Sequence, residues 1–151
     1  MAGISLQQAT SIIDAALEKG AVLGAGPLTV AVLDAGGHLT ALKRQDGSGN
    51  LRAEIAAAKA WGALGMGAST RFFAQLAEKN PVLLTSFSTL AGGRIVPAAG
   101  GVLIRNAAGD LLGAVGVSGD SPEVDEQCAI HGIASASLHA DLEPPPLRPR
   151  P

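Results

Sequence analysis

Gly109-Asp-Leu-Leu-Gly-Ala-Val-Gly-Val-Ser-Gly-Asp-Ser-Pro-Glu-Val-Asp-Glu-Gln-Cys128 joins a strand of small residues to an abruptly started, acid-tipped helix. Glycines at 113, 116 and 119 remove side chains at every third position, so another backbone or a flat ligand can approach the strand end closely. Ser121 is a natural N-cap and Pro122 suits the first helical position. Asp120, Glu123, Asp125 and Glu126 place negative charge where the helix dipole is positive, and would repel a phosphate there. Gly113-x-x-Gly116-x-x-Gly119 is not the dinucleotide pattern, and no GxxxxGK[ST] occurs, so nucleotide binding is not expected.

Outward from this stretch, composition narrows the class. The chain has 151 residues, the size of one domain. It is 47% hydrophobic but only 3% aromatic, with 20 glycines and no tyrosine, so the core must be built from Ala, Val, Leu and Ile with backbones close together. A mean hydropathy of +0.30 with 16% charged residues is more apolar than a small monomer can cover, which argues for a homo-oligomer. The net charge of −2 and scattered basic residues lack the footprint of a nucleic-acid binder. No apolar run approaches the ~18 residues that span a bilayer, and Met1-Ala-Gly does not open a signal peptide, so a cytoplasmic protein without membrane contact is expected. One cysteine and three dispersed histidines offer no metal-ligand spacing and no CxxCH for covalent haem attachment.

Ser5-Leu-Gln-Gln8 reads as a capping box opening an amphipathic helix that runs to Gly20. Leu28–Leu33 and Leu39–Arg44 read as a β-hairpin around Asp34-Ala-Gly-Gly-His38. Leu51–Met66 is an Ala-rich helix, and Ser69 or Thr70 caps a short one ending near Asn80-Pro81. Val82–Leu90 is ambiguous, with one or two further helical turns possible from its pattern. Gly92–Gly101 reads as a bent edge segment, followed by strands Val102–Arg105 and Leu111–Val117 and a last helix from Ser121 to about His139. Hairpins separated by a helical insertion indicate one antiparallel sheet with helices on its faces, an α+β arrangement. A single domain over residues 1–142 and a proline-rich tail over 143–151, with five prolines in its last eight residues, complete the organisation.

Several side chains could carry chemistry. Cys128 and His131 lie at i, i+3 on one helix face, where a thiolate and an imidazole could meet; a cysteine among Ala129, Ile130 and Ile133 also reads as a small buried hydrophobe. Asp125 could orient a base or bind a hydroxyl, besides its role in the first turn. Arg52 opens a helix, where a cation opposes the dipole, which hints at a carboxylate partner: Glu54, Asp46 or an acidic substrate. Lys59 is either partly desolvated or snorkels to solvent. Trp61, the only tryptophan, offers the flat wall of an apolar pocket or a subunit contact. His38 in the hairpin turn and His139 near the helix end read as exposed, each available to iron adventitiously.

Four stretches in this order, Val32–Gly47, Lys59-Ala60, Gly100–Arg105 and Gly113–Gly119 followed by Asp125–Cys128, resemble the GlcG/HbpS-like family over roughly residues 4 to 140. The resemblance implies a profilin-like α/β/α layering on a five-stranded antiparallel sheet, assembled into dimers or larger rings. It also implies haem binding or degradation, glycolate-utilisation operons and kinship with the C-terminal part of some cobalamin adenosyltransferases. The expectation is an oligomeric small-molecule-binding protein, a catabolic accessory protein whose ligand is haem or another flat carboxylated molecule. Its pocket is expected between Gly100-Gly101, the strand end at Ser118 and a helix of the same or a neighbouring subunit, with Trp61, Asp125 and Cys128 nearby. His131 or another histidine would ligate the iron and Arg52 the propionate. The alternative is a cofactor-independent isomerase, lyase or hydrolase of a small organic acid, with His131 moving the proton and Arg52 holding the carboxylate.

Overall fold

The computed structural model describes residues 3–145. The first helix, α1 (Leu6–Val22), opens on the expected capping box: the Gln8 amide donates to the Ser5 hydroxyl, and the Ser5 amide to the Gln8 side chain, each at 3.0 Å. Two amides that a helix start leaves orphaned are thereby satisfied. β1 (Thr29–Asp34) and β2 (Leu39–Arg44) form the hairpin, and α2 (Asn50–Met66) stops on Gly67 in the left-handed region. α3 (Arg71–Lys79) runs into α4 (Pro81–Leu90), so the ambiguous stretch is helical: the Asn80 side chain accepts from the Leu83 amide and Pro81 supplies a preset φ. β3 (Gly101–Arg105), β4 (Leu111–Ser118), α5 (Pro122–Ser135) and β5 (His139–Asp141) complete the chain, with Ser121 capping α5 through the Val124 amide.

Two sequence expectations are corrected. Residues 92–100 form irregular chain rather than a bent edge strand, because Gly92, Gly93 and Gly100 all take positive φ and no ladder accommodates that run. The last helix ends at Ser135, not near His139: Ser137 at φ +58° reverses the chain, and His139–Asp141 pairs antiparallel with β3. The pairing satisfies an edge that would otherwise expose unpaired backbone groups, and Arg105 clamps Asp141 at 2.7 Å across it. Of the proline-rich tail, 146–151 lie outside the described residues.

The five strands form one antiparallel sheet in the order β2-β1-β4-β3-β5. Side chains alternate between its faces, and the alternation sorts them by size. Val30, Val32, Val102, Ile104, Val115 and Val117 face the layer of α1 and α5, where they pack with Ile12, Ile13 and Ile133. Leu33, Leu103 and Ala114 face α2, meeting Ala60 and Ala63. This is the α/β/α layering expected, with bulk on one side and small residues on the other. Among the described residues no helix is long and apolar enough to cross a membrane.

Candidate functional site

The corner expected to hold a pocket is filled by the protein itself. A methyl group on Gly116 would overlap the Ala56 carbonyl oxygen, and one on Gly101 the Lys59 carbonyl, so these glycines let the backbone of α2 lie directly on β4 and β3. Gly100, at φ +126°, leaves a slot: a methyl there would stand 2.8 Å from Lys59 Nζ and 2.7 Å from the Val117 oxygen. Through that slot Lys59 donates to the Val117 carbonyl at 2.9 Å and to Asp125 Oδ2 at 3.2 Å, tying α2 to α5. Lys59 is 3% exposed and Asp125 1%, so Lys59 neither snorkels nor opens a cleft. Burial pushes the Lys59 ammonium below its ordinary pKa against the pull of Asp125, and raises the Asp125 carboxyl against the pull of Lys59. Asp125 Oδ1 also accepts the Asp120 amide at 3.0 Å.

Beside this pair, Arg52 donates to the Ser118 hydroxyl at 3.2 Å. Arg52 enters none of the ion pairs among the described residues, neither with Glu54 nor with Asp46. The second acid of the α5 start, Glu126, turns inward to Arg71 of α3 in a two-bond ion pair. Asp125 and Glu126, two of the four acids at this helix start, therefore face cations as well as the dipole.

Cys128 and His131 are not brought together. Cys128 is fully buried in the core between α1, α5 and the sheet, and burial raises its thiol from 9.0 to about 11. His131 lies on the solvent face of α5 and makes none of the side-chain hydrogen bonds among the described residues. Cys128 is thus expected to resist iodoacetamide at pH 8 in the native protein and to react stoichiometrically once denatured; alkylation at the free-thiol rate without denaturant would contradict its burial. Because the folded thiol keeps its proton from pH 9 to about 11 while the unfolded one ionises, stability falls as pH rises through that window.

An open concavity lies elsewhere, on the outer side of α2. Trp61, Ala57, Ala58 and Glu54 of α2, with Leu33, Gly37, Leu39 and Arg94, line a groove of about 370 Å³. The Arg94 guanidinium sits 3.6 Å from the centroid of the Trp61 ring. The hairpin tip rests on the same tryptophan: a methyl on Gly37 would stand 3.2 Å from Trp61 Cδ1. At this tip Asp34 Oδ1 accepts the Gly36 amide at 3.0 Å, the His38 amide at 2.9 Å and faces His38 Nδ1 at 3.2 Å. The His38 amide, first among these contacts, holds the Asp34 carboxyl below its ordinary pKa. Sequence reading found Trp61 but missed Arg94, whose only signal was a cation within a glycine loop. Arg52 points to Ser118 and not into this groove, so the expected ligand set divides between two places on α2. Among the described residues no group of three or more His, Cys, Asp or Glu side chains could hold a metal ion.

Residues 4–134 match the family model described as haem degrading protein HbpS-like. The fold superposes on the crystal structure of a PduOC–haem complex with TM-score 0.80 and 27% identity, covering 90% of this chain and 96% of that one. The Klebsiella pneumoniae protein ORFY matches at TM-score 0.80 and 25% identity, covering 89% and 90%. HbpS matches at TM-score 0.74 and 30% identity, covering 89% and 90%. A search of curated protein sequences finds no match.

Proposed function

Because the chain belongs to the HbpS-like family, we propose that it is a small-molecule-binding protein whose ligand is haem or another flat, carboxylated molecule, held in the groove beside Trp61. The observation that carries this reading is the Trp61–Arg94 pair: an aromatic wall and a guanidinium side by side at an apolar groove. Such a groove meets both halves of a porphyrin, its apolar disc and its carboxylates. The similar PduOC structure, a complex with haem, supports the same class of ligand. Haem, when bound, supplies a redox-active iron; the residues of this chain supply the wall and the cation. Arg52 and His131, on which turnover of a small organic acid would rest, stand on helices packed against opposite faces of the sheet, so binding is the reading carried forward.

Self-association belongs to the proposal. α4 has no ionisable residue, packs chiefly on α3, and exposes Val82 at 76% and Leu90 at 86%. A face without charge can meet its own copy across a two-fold axis with no like-charge repulsion. Haemin titration followed at the Soret band, with light scattering of the same sample, tests both parts. Uptake is expected to saturate near one per protomer in a dimer or larger assembly, and Arg94→Ala to weaken it about tenfold, the scale of one charge-assisted hydrogen bond. Scattered, nonsaturating uptake overturns the ligand; a protomer mass at micromolar concentration overturns the assembly.

A further inference from the structure

We infer that the Trp61–Arg94 groove takes a flat ligand charged at both ends, with a carboxylate on Arg94 and a protonated amine on Glu54; this rests on the small-molecule reading above. Helix geometry sets the two ends. Glu54, Ala57, Ala58 and Trp61 all line the groove and are spaced i, i+3, i+4 and i+7, so they form one stripe along the outer face of α2. At the α-helical rise, Glu54 and Trp61 stand about 10 Å apart along the axis. The Arg94 guanidinium lies over Trp61 at 3.6 Å, so acid and base hold opposite ends of the groove. Between them the lining is apolar, with the two alanines on α2 and Leu33 and Leu39 on the hairpin.

Neither charge has a partner within the protein. Arg94 donates through Nε to the Ala91 carbonyl at 3.0 Å, which together with the tryptophan contact fixes the guanidinium plane. Its two terminal nitrogens make no side-chain hydrogen bond, and Arg94 enters none of the ion pairs, among the described residues. They leave open the fork that grips a carboxylate through two parallel bonds. Glu54 is exposed and is likewise absent from the ion pairs and side-chain hydrogen bonds of the described residues. As a carboxylate it can only accept, so the group it meets must donate. The two line one groove without pairing with each other, and a molecule with opposite charges at its ends satisfies both. A porphyrin carries its carboxylates at one edge and meets only the Arg94 end. A dicarboxylate reaching both ends places like charge on Glu54, which selects against it.

The test is a matched pair of biphenyls of similar length, titrated into the full chain beside haemin and read by the fluorescence of Trp61, the only tryptophan. One has a para carboxylate on one ring and a para aminomethyl group on the other; its counterpart has a para carboxylate on both. The amino acid is expected to bind at least about tenfold more tightly than the dicarboxylate, the scale of one charge-assisted hydrogen bond. Glu54→Gln should abolish that preference and Glu54→Lys reverse it, while Arg94→Ala weakens both probes. Glu54 is exposed, so an unchanged thermal midpoint in both of its variants separates lost recognition from unfolding. Equal affinity for the two probes, binding of neither, or a preference that survives Glu54→Gln overturns the two-ended assignment, and saturable haemin uptake then leaves the reading of the groove standing. No saturable binding of haemin or of either probe overturns both.

Discussion

A Lys59→Met variant is expected to be less stable by about 3–5 kcal/mol, with a correspondingly lower denaturant midpoint. The change leaves Asp125 buried at 1% exposure without its cation, and leaves the Val117 carbonyl without its ammonium donor. Burial already drives both groups of the pair toward their neutral forms, so each charge depends on the other to remain inside. Lys59→Met/Asp125→Leu should therefore recover about half of the loss, since removing both charges removes the uncompensated one, although the Asp120 amide still loses its acceptor. A single variant as stable as wild type, or a double variant no better than the single, would show that the pair does not hold α2 to α5. Measured against a total stability of about 5–15 kcal/mol, the loss is large enough to deplete the folded population.

Gly116→Ala is expected to cost about 3 kcal/mol or more, although it adds one methyl group and raises β-propensity slightly. The methyl would overlap the Ala56 carbonyl oxygen and press on the Ala60 amide at 3.0 Å, both backbone atoms of a helix that cannot rotate aside. The helix would have to lift off the sheet, loosening the contact of Ala60 and Ala63 with Leu33, Leu103 and Ala114. Gly65→Ala in α2 is the control: its nearest atom would be Trp61 Cζ3 at 3.9 Å, so the better helix former should raise stability by up to about 1 kcal/mol. Thermal midpoints moving in opposite directions for these two glycines would confirm that close helix–sheet approach sets the difference. Equal shifts would refute it.

These contrasts show where the sequence was informative. The capping box at Ser5 and Gln8, the Ser121-Pro122 start of α5 and the hairpin turn at Asp34–His38 each depend on bonds reaching three or four residues, and each was legible before the fold. Arg52 stands out in the sequence because a cation at a helix start is locally unfavourable, and in the fold it donates to Ser118. The short strand β5 was not legible, because three residues acquire strand character only by pairing with the edge of β3. Arg94 escaped for the same reason: its significance is a tryptophan brought near by the fold, not a neighbour in the chain.

The sequence by itself determined the elements, their order and the demand for close approach at Gly101 and Gly116, because turns, caps and missing side chains are properties of the local chain. What makes that approach was decided only by tertiary structure. The backbone of α2 and the Lys59–Asp125 pair occupy the space a ligand was expected to take, and the open groove lies instead between α2, the β1–β2 turn and the loop carrying Arg94. A glycine pattern specifies that room exists; the occupant is set by packing between residues as much as 66 positions apart, which no local signal encodes.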